Sequence, residues 1–87
     1  MKKFTVYGNG FKTLAYPRAS DQDPIIDAAN RAIRRVYGRS ARVWGWHCES
    51  RGVIGDRIVS HNMRGTVIGS SSKTGGWPIL GEAYFTI

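Results

Sequence analysis

Residues 23–38, DPIIDAANRAIRRVYG, carry a complete set of helix signals and decide the fold. Asp23 is a favoured N-cap residue, and the proline after it suits the first helical turn. Gly38 is a typical left-handed helix stop. Ser20 with Asp23 also fits a capping box, which would start the helix three residues earlier. We therefore expect a helix over residues 24–37, with the choice between the two start signals left open.

The apolar residues of this segment recur at spacings of three and four, which predicts one apolar helix face. Its members are Ile25, Ile26, Ala29, Ala32, Ile33 and Val36. Asp27 and Arg31 on the polar face lie one turn apart, so we expect an ion pair between them. Arg34, Arg35 and Arg39 fall near the negative end of the helix dipole, where cations are favoured. The dipole is thus a purely structural reason for part of the arginine cluster.

On both sides of the helix, runs of residues with high β-propensity predict strands. They lie at 4–7, 11–16, 41–51, 56–68 and about 79–87. Asn9-Gly10 is a tight-turn signal, so the chain opens with a hairpin or, alternatively, with one strand bent by a bulge. Gly52 and Gly55 mark the turn between the third and fourth runs, and Gly65 is a possible bulge.

This order of elements, ββαβββ or βαβββ, predicts an α+β fold in which one helix packs on one face of an antiparallel sheet. The 87 residues make a single domain over 1–87, since a chain of this length can bury only one thin core. The second face of the sheet is then available for a partner.

The three tryptophans divide between core and surface. Trp44 and Trp46 are two residues apart, so on a regular strand they share a face, and Cys48 continues it. Burial in the core and stacking against a partner are both open for this pair. We expect one exposed tryptophan, and Trp77, beside two glycines and a proline, is the strongest candidate.

The charge is strongly positive. Thirteen Lys and Arg against six Asp and Glu give +7, and this balance favours an anionic partner. A single cysteine cannot close an intrachain disulfide, and the apolar runs are too short for a membrane span or a signal peptide. We therefore expect an intracellular, cytoplasmic protein with no membrane partner.

Residues 69–76, GSSSKTGG, have the composition of a phosphate-binding loop. A P-loop, however, needs glycine directly before its lysine, where Ser72 stands, and a helix directly after it, where Gly-Gly-Trp-Pro follows. The segment is predicted to be a loop between the last two strands, with Lys73 near its tip, and not a nucleotide site.

His47 and His61 could serve as the general acid and base of a small ribonuclease. Glu49 would share a strand face with His47 and could orient it, but no spacing links the two histidines to a nucleophile or a metal. The chain contains no CxxC or HxxxH metal motif. We expect no catalytic residues, no metal and no cofactor.

A β opening, the Ala-rich helix segment DAANRAI at 27–33 closed by Tyr37-Gly38, and three further strands resemble, in their order, several small phage-encoded anti-CRISPR proteins that bind type I surveillance complexes. The resemblance covers most of the chain. It implies a non-enzymatic inhibitor that acts in a bacterial host and occludes a protein surface involved in pairing or recruiting nucleic acid.

Charge and aromatic residues give the predicted partner-binding site. Its members are Arg31, Arg34, Arg35, Arg39, Arg42, Lys73 and Trp77. Arginine suits bidentate contact with carboxylate or phosphate, so the expected partner is a protein or a protein–nucleic-acid complex. Direct RNA or DNA binding is the alternative, although the chain lacks the second helix of an RRM and the C-terminal helix of a double-stranded-RNA domain. The oligomeric state is left open.

Overall fold

The structure, a computed structural model, describes residues 2–70 and 76–87. Within these residues the elements are β1 (Phe4–Gly8), β2 (Phe11–Ala15), α1 (Pro24–Tyr37), β3 (Arg42–Ile54), β4 (Arg57–Ile68) and β5 (Ile79–Thr86). The prediction of an α+β fold with one helix and an antiparallel sheet is confirmed. The chain opens with a hairpin, β1–β2, rather than with one bent strand.

The strands form one antiparallel sheet in the order β2-β1-β5-β4-β3. The last strand of the chain, β5, lies at the centre between β1 and β4. The helix packs on one face of this sheet, with contacts to β1, β2 and β3. The other face, called the open face below, carries no helix from the described residues.

Local signals set both ends of the helix where the sequence predicts them. The Asp23 carboxylate accepts a hydrogen bond from the backbone N–H of Ile26 at 3.2 Å, and the helix begins at Pro24. The alternative start at Ser20 is therefore wrong. Gly38 takes a φ of +107°, and its N–H donates to the carbonyl of Arg34 at 2.9 Å, which ends the helix.

The core lies between the helix and the sheet. Its fully buried members are Val6, Ala15, Ala28, Ala29, Ala32, Ile33, Ala41, Val67, Ala83 and Phe85. Alanines on the helix and on the strands let the two layers approach closely. Phe85 is the largest of these side chains, and the rings of Phe4 and Trp46 pack against it with centroids 5.1 and 4.9 Å away.

A bulge in β3 separates the two neighbouring tryptophans. Trp44 pairs with Thr66 and His47 with Arg64, so β3 has one extra residue between these pairs. Gly45 takes a φ of +72° there. The indole of Trp46 lies on the helix side, and Trp44 lies on the open face. The prediction that both share a face is wrong, because the extra residue reverses the alternation of the strand.

Two other glycines have roles that differ from the predicted ones. Gly52 lies inside β3, and the turn is made by Gly55, at a φ of +65°, with Asp56. Gly65 is no bulge: it pairs regularly with Ala83, and a Cβ at this position would overlap Val43. Because Gly65 has no side chain, the side chains of Val43 and Trp46 on β3 can pack directly over the β4 backbone at this position.

The β3–β4 hairpin extends beyond the rest of the sheet. The last β4–β5 backbone contact joins His61 to Ile87, so residues 51–60 form a two-stranded ribbon without a third strand among the described residues. We call this ribbon the arm. The molecule is elongated, with extents of 51 × 27 × 24 Å.

Candidate functional site

Arginines surround a shallow concavity of about 410 Å³ on the helix side of the molecule. The lining residues are Arg18, Arg31, Arg34, Arg35 and Arg39. We call this surface the arginine concavity. It brings together four of the arginines that the sequence predicts for the site. The fifth arginine, Arg18, is absent from the predicted site. It follows β2, so the spacing of residues along the helix gives no indication of it.

Two of the five arginines are anchored to the fold. The Arg31 guanidinium donates to both carboxylate oxygens of Asp21, at 2.6 and 2.8 Å, and to the carbonyl of Tyr16 at 2.8 Å. Arg35 donates to the carbonyl of Leu14 and lies 5.8 Å from the centre of the Tyr16 ring. These contacts hold the helix against β2 and the segment after it, so Arg31 and Arg35 form a fixed wall of the concavity.

The partner of Arg31 differs from the predicted one. Asp27 instead accepts hydrogen bonds from the backbone N–H groups of Gln22 and Asp23, at 3.1 and 3.3 Å. The hydrogen bond from Arg31 is the main reason why the pKa of Asp21 falls to about 2. The same contact raises the pKa of Arg31. Both groups are charged at neutral pH and neutralise one another.

Four of the five arginines of the concavity form no salt bridge within the described residues, and three of these four are also free of side-chain hydrogen bonds there. Within the described residues, Arg18, Arg34 and Arg39 have no salt bridge and no side-chain hydrogen bond. Within the part of the chain that the structure describes, Asp56, at the tip of the arm, is the one acidic residue whose side chain makes no polar contact. The engaged ones are Asp21, Asp23, Asp27, Glu49 and Glu82. Arg18, Arg34 and Arg39 are therefore available to an external anion.

A second candidate surface is an apolar cleft of about 340 Å³ where β3 begins and β4 ends. Trp44, Ile68, Trp77 and Ile79 line it, and we call it the tryptophan cleft. Trp44 is 75% exposed, Ile79 72% and Trp77 58%. The sequence predicts the exposure of Trp77 but not that of Trp44. The one local signal for the exposure of Trp44 is Gly45, which allows a bulge between the two tryptophans. The predicted contact Lys73 lies outside the described residues.

Arg42 connects the two surfaces. It pairs with Ile68, which lines the tryptophan cleft. Its guanidinium donates to the carbonyls of Arg39 and Ala41, at 3.2 Å each, and Arg39 lines the arginine concavity. Arg42 therefore lies between the two surfaces instead of inside the concavity.

The centre of the open face is a closed charge network. Arg64 forms ion pairs with Glu49, at 3.0 Å, and with Glu82, and the hydroxyl of Tyr84 donates to Glu82 at 2.8 Å. Tyr7 stacks on Tyr84 with centroids 5.6 Å apart. Arg64 has no spare charge for a partner, so this network organises the open face.

The pKa values of this network follow its hydrogen bonds. The bonds from Arg64 and then from Tyr84 lower the pKa of Glu82. Donation to Glu82 raises the pKa of Tyr84, and the two glutamates raise the pKa of Arg64. All three groups therefore keep their ordinary charge states at neutral pH.

The two histidines do not converge. His47 pairs with Arg64 on the open face, and its Nδ1 lies 3.0 Å from the carbonyl of Gly45. His61 lies two residues before Met63, which packs against the core, and therefore points to the helix side. Its Nδ1 is 3.8 Å from the Sγ of Cys48. The geometry thus assembles no acid–base pair from His47 and His61.

Metal-binding clusters and membrane-spanning helices are both absent from the described residues. No group of three or more His, Cys, Asp or Glu side chains in residues 2–70 and 76–87 is arranged to hold a metal ion. No helix in these ranges has the length and apolar character needed to cross a membrane. Comparisons with protein-family models, with curated proteins and with solved structures found no match to this chain.

Proposed function

We propose that this chain is a small non-enzymatic binding protein that docks on an acidic surface of a protein complex that handles nucleic acid. The observation that carries this proposal is the convergence of Arg18, Arg34 and Arg39 on one concavity, where they form no salt bridge within the described residues. Arginine forks suit bidentate contacts with the carboxylates of a partner.

The position of the concavity favours an extended anionic surface over a small bound phosphate. Small anions are bound best at helix N-termini, where backbone N–H groups are free. Here the N-terminus of the helix is occupied by the Asp23 cap, and the arginines follow the second half of the helix. The carbonyl end of the helix attracts cations and repels a buried anion. Side-chain contacts at the surface are therefore the main means of recognition.

The proposed partner complex follows from the resemblance in element order to phage-encoded anti-CRISPR proteins. On that basis the chain is an inhibitor that occludes a functional surface of a type I surveillance complex in a bacterial cytoplasm. Direct binding of single-stranded nucleic acid is the second candidate, and the exposed indoles of Trp44 and Trp77 favour it, because bases stack on such side chains.

Affinity capture from a bacterial lysate, with and without nuclease, separates these candidates. The bait is the wild type, Arg34→Glu/Arg39→Glu, or the matched control Arg51→Glu/Arg57→Glu on the arm. Each reversal changes the charge by two units, so both double variants carry +3 instead of +7. We expect nuclease-resistant capture of one complex by the wild type and the control, and loss of capture by Arg34→Glu/Arg39→Glu.

Two results would count against the proposal. Capture that disappears after nuclease treatment would support direct nucleic-acid binding. Equal losses in both double variants would mean that only the overall charge matters and that the arginine concavity is not a site.

A further inference from the structure

The tryptophan cleft exposes an unusual amount of apolar surface at one place. Three of its four lining side chains, Trp44, Trp77 and Ile79, are more than half exposed. Single exposed apolar residues are ordinary, but a contiguous apolar patch on a small protein marks an interaction site. The open face thus carries a recognition surface at one end, next to the charge network of its centre.

The cleft is built on the sheet. Ile68 pairs with Arg42 on one side and with Ile79 on the other, so three adjacent strands form its floor. The bulge at Gly45 directs Trp44 onto the open face, where it pairs with Thr66. A pocket on paired strands is largely preformed, and binding to it costs little conformational entropy.

The lining selects the chemistry of the occupant. All four side chains are apolar apart from the indole N–H groups, so a phosphate, a sugar or the edge of a base would find few hydrogen-bond partners. A large aliphatic or aromatic side chain gives up no hydrogen bonds with water when it enters such a cleft. Buried apolar anchors in preformed pockets are the usual centres of protein–protein interfaces.

The charge next to the cleft defines the partner further. Arg42 is exposed beside the cleft: it pairs with Ile68 and lies two residues before Trp44 on β3, so its side chain shares the open face with both. A partner segment that fills the cleft is therefore beside a cation that forms no salt bridge within the described residues. A second copy of this chain is a poor occupant, since it also carries +7.

We infer that the tryptophan cleft binds a large apolar side chain of an acidic protein segment, one of whose carboxylates contacts Arg42 beside the cleft. This inference rests on the proposed function and names the recognition element of its partner: an acidic stretch that contains a Leu, Phe or Trp anchor.

Selection of random twelve-residue peptides against the wild-type protein tests this inference. We expect the enriched peptides to combine acidic residues with one large apolar residue. Trp44→Ala and Ile79→Ala should each weaken the binding of a selected peptide at least tenfold. Ile54→Ala is the matched control, because Ile54 on the arm is 71% exposed against 72% for Ile79. Circular dichroism and thermal unfolding of each variant verify that it is folded.

The outcomes distinguish the inference from the proposed function. If Arg34→Glu/Arg39→Glu weakens peptide binding and Trp44→Ala does not, the inference is wrong and the proposed function stands. If Trp44→Ala weakens binding and Arg42→Glu does not, the segment is bound through its apolar anchor alone, and the inference of an acidic segment is wrong. Failure to enrich any peptide overturns the inference. So does tight binding of an oligo(dT) probe that Trp44→Ala abolishes, because the cleft then stacks bases.

Discussion

At the scale of single residues, Gly45 controls which surface Trp44 joins. Its φ of +72° lies in the region that L side chains adopt only with strain, while a Cβ there would meet no atom within 4 Å. Glycine is thus required at this position because of its backbone conformation, and not because a larger side chain would collide with its neighbours. A substitution at this position tests whether the bulge has a stability cost of its own.

We predict that Gly45→Val destabilises the fold by about 1–3 kcal/mol, the usual strain of a non-glycine residue in this region. Urea denaturation measures the effect. The control is Gly76→Ala, at a position that also has open space around its Cβ but no positive φ. An unchanged stability of Gly45→Val would show that the bulge is not formed as described.

The pair Asp21–Arg31 predicts a defined pH dependence. The pKa of Asp21 is about 2 in the folded protein against an ordinary value of 3.8, so the folded state favours the ionised form. The stabilisation is complete above the ordinary pKa and is lost as the pH falls towards 2. Asp21→Asn should therefore lower the Tm at pH 7, and the difference from the wild type should shrink between about pH 4 and pH 2. A difference that stays constant down to pH 2 would contradict the role of the carboxylate charge.

At the scale of elements, the ends of the helix are predictable because the signals are local. Asp23, Pro24 and Gly38 act within one turn of the residues they cap. The ion pair of Arg31 is not predictable in the same way. Its partner Asp21 lies ten residues earlier, outside the helix, and only the fold brings the two together. The local spacing of Asp27 and Arg31 therefore gave the wrong pair.

The packing of the helix on the sheet gives a third prediction. Ala29 is fully buried in the core, so Ala29→Asp should abolish folding. An unpaired buried charge costs several kcal/mol, a large part of a typical stability of about 5–15 kcal/mol. Val36→Asp is the control on the same helix, because Val36 is 40% exposed. A cooperative thermal transition for Ala29→Asp at the wild-type Tm would contradict the helix placement.

The arm gives a prediction about local stability. Among the described residues, 53–58 have only each other as strand partners, while residues 62–67 are held between β3 and β5. A two-stranded ribbon alone is marginal in water, so its amides should open more often. Hydrogen exchange should therefore show weaker protection at 53–58 than at 62–67. Equal protection would mean that the arm is covered in solution, most simply by another copy.

At the scale of the whole molecule, composition predicts the sign of the partner but not the geometry of the site. The charge of +7 and the arginines of the helix indicate an anionic partner from the sequence alone. The division between anchored Arg31 and Arg35 and available Arg34 and Arg39 depends on where β2 and Asp21 lie. The tryptophan cleft depends on one bulge and on the meeting of three strands, which no local pattern shows.

The affinity of the captured complex for the two double variants tests the central claim, that the arginine concavity binds an acidic protein surface, most directly. The account predicts that Arg34→Glu/Arg39→Glu weakens the Kd at least tenfold and that Arg51→Glu/Arg57→Glu, with the same net charge, changes it less than threefold. Desolvated charge pairs are worth a few kcal/mol and rim charges much less. An unchanged Kd for Arg34→Glu/Arg39→Glu would show that these arginines are only a solvated helix face and would contradict the account.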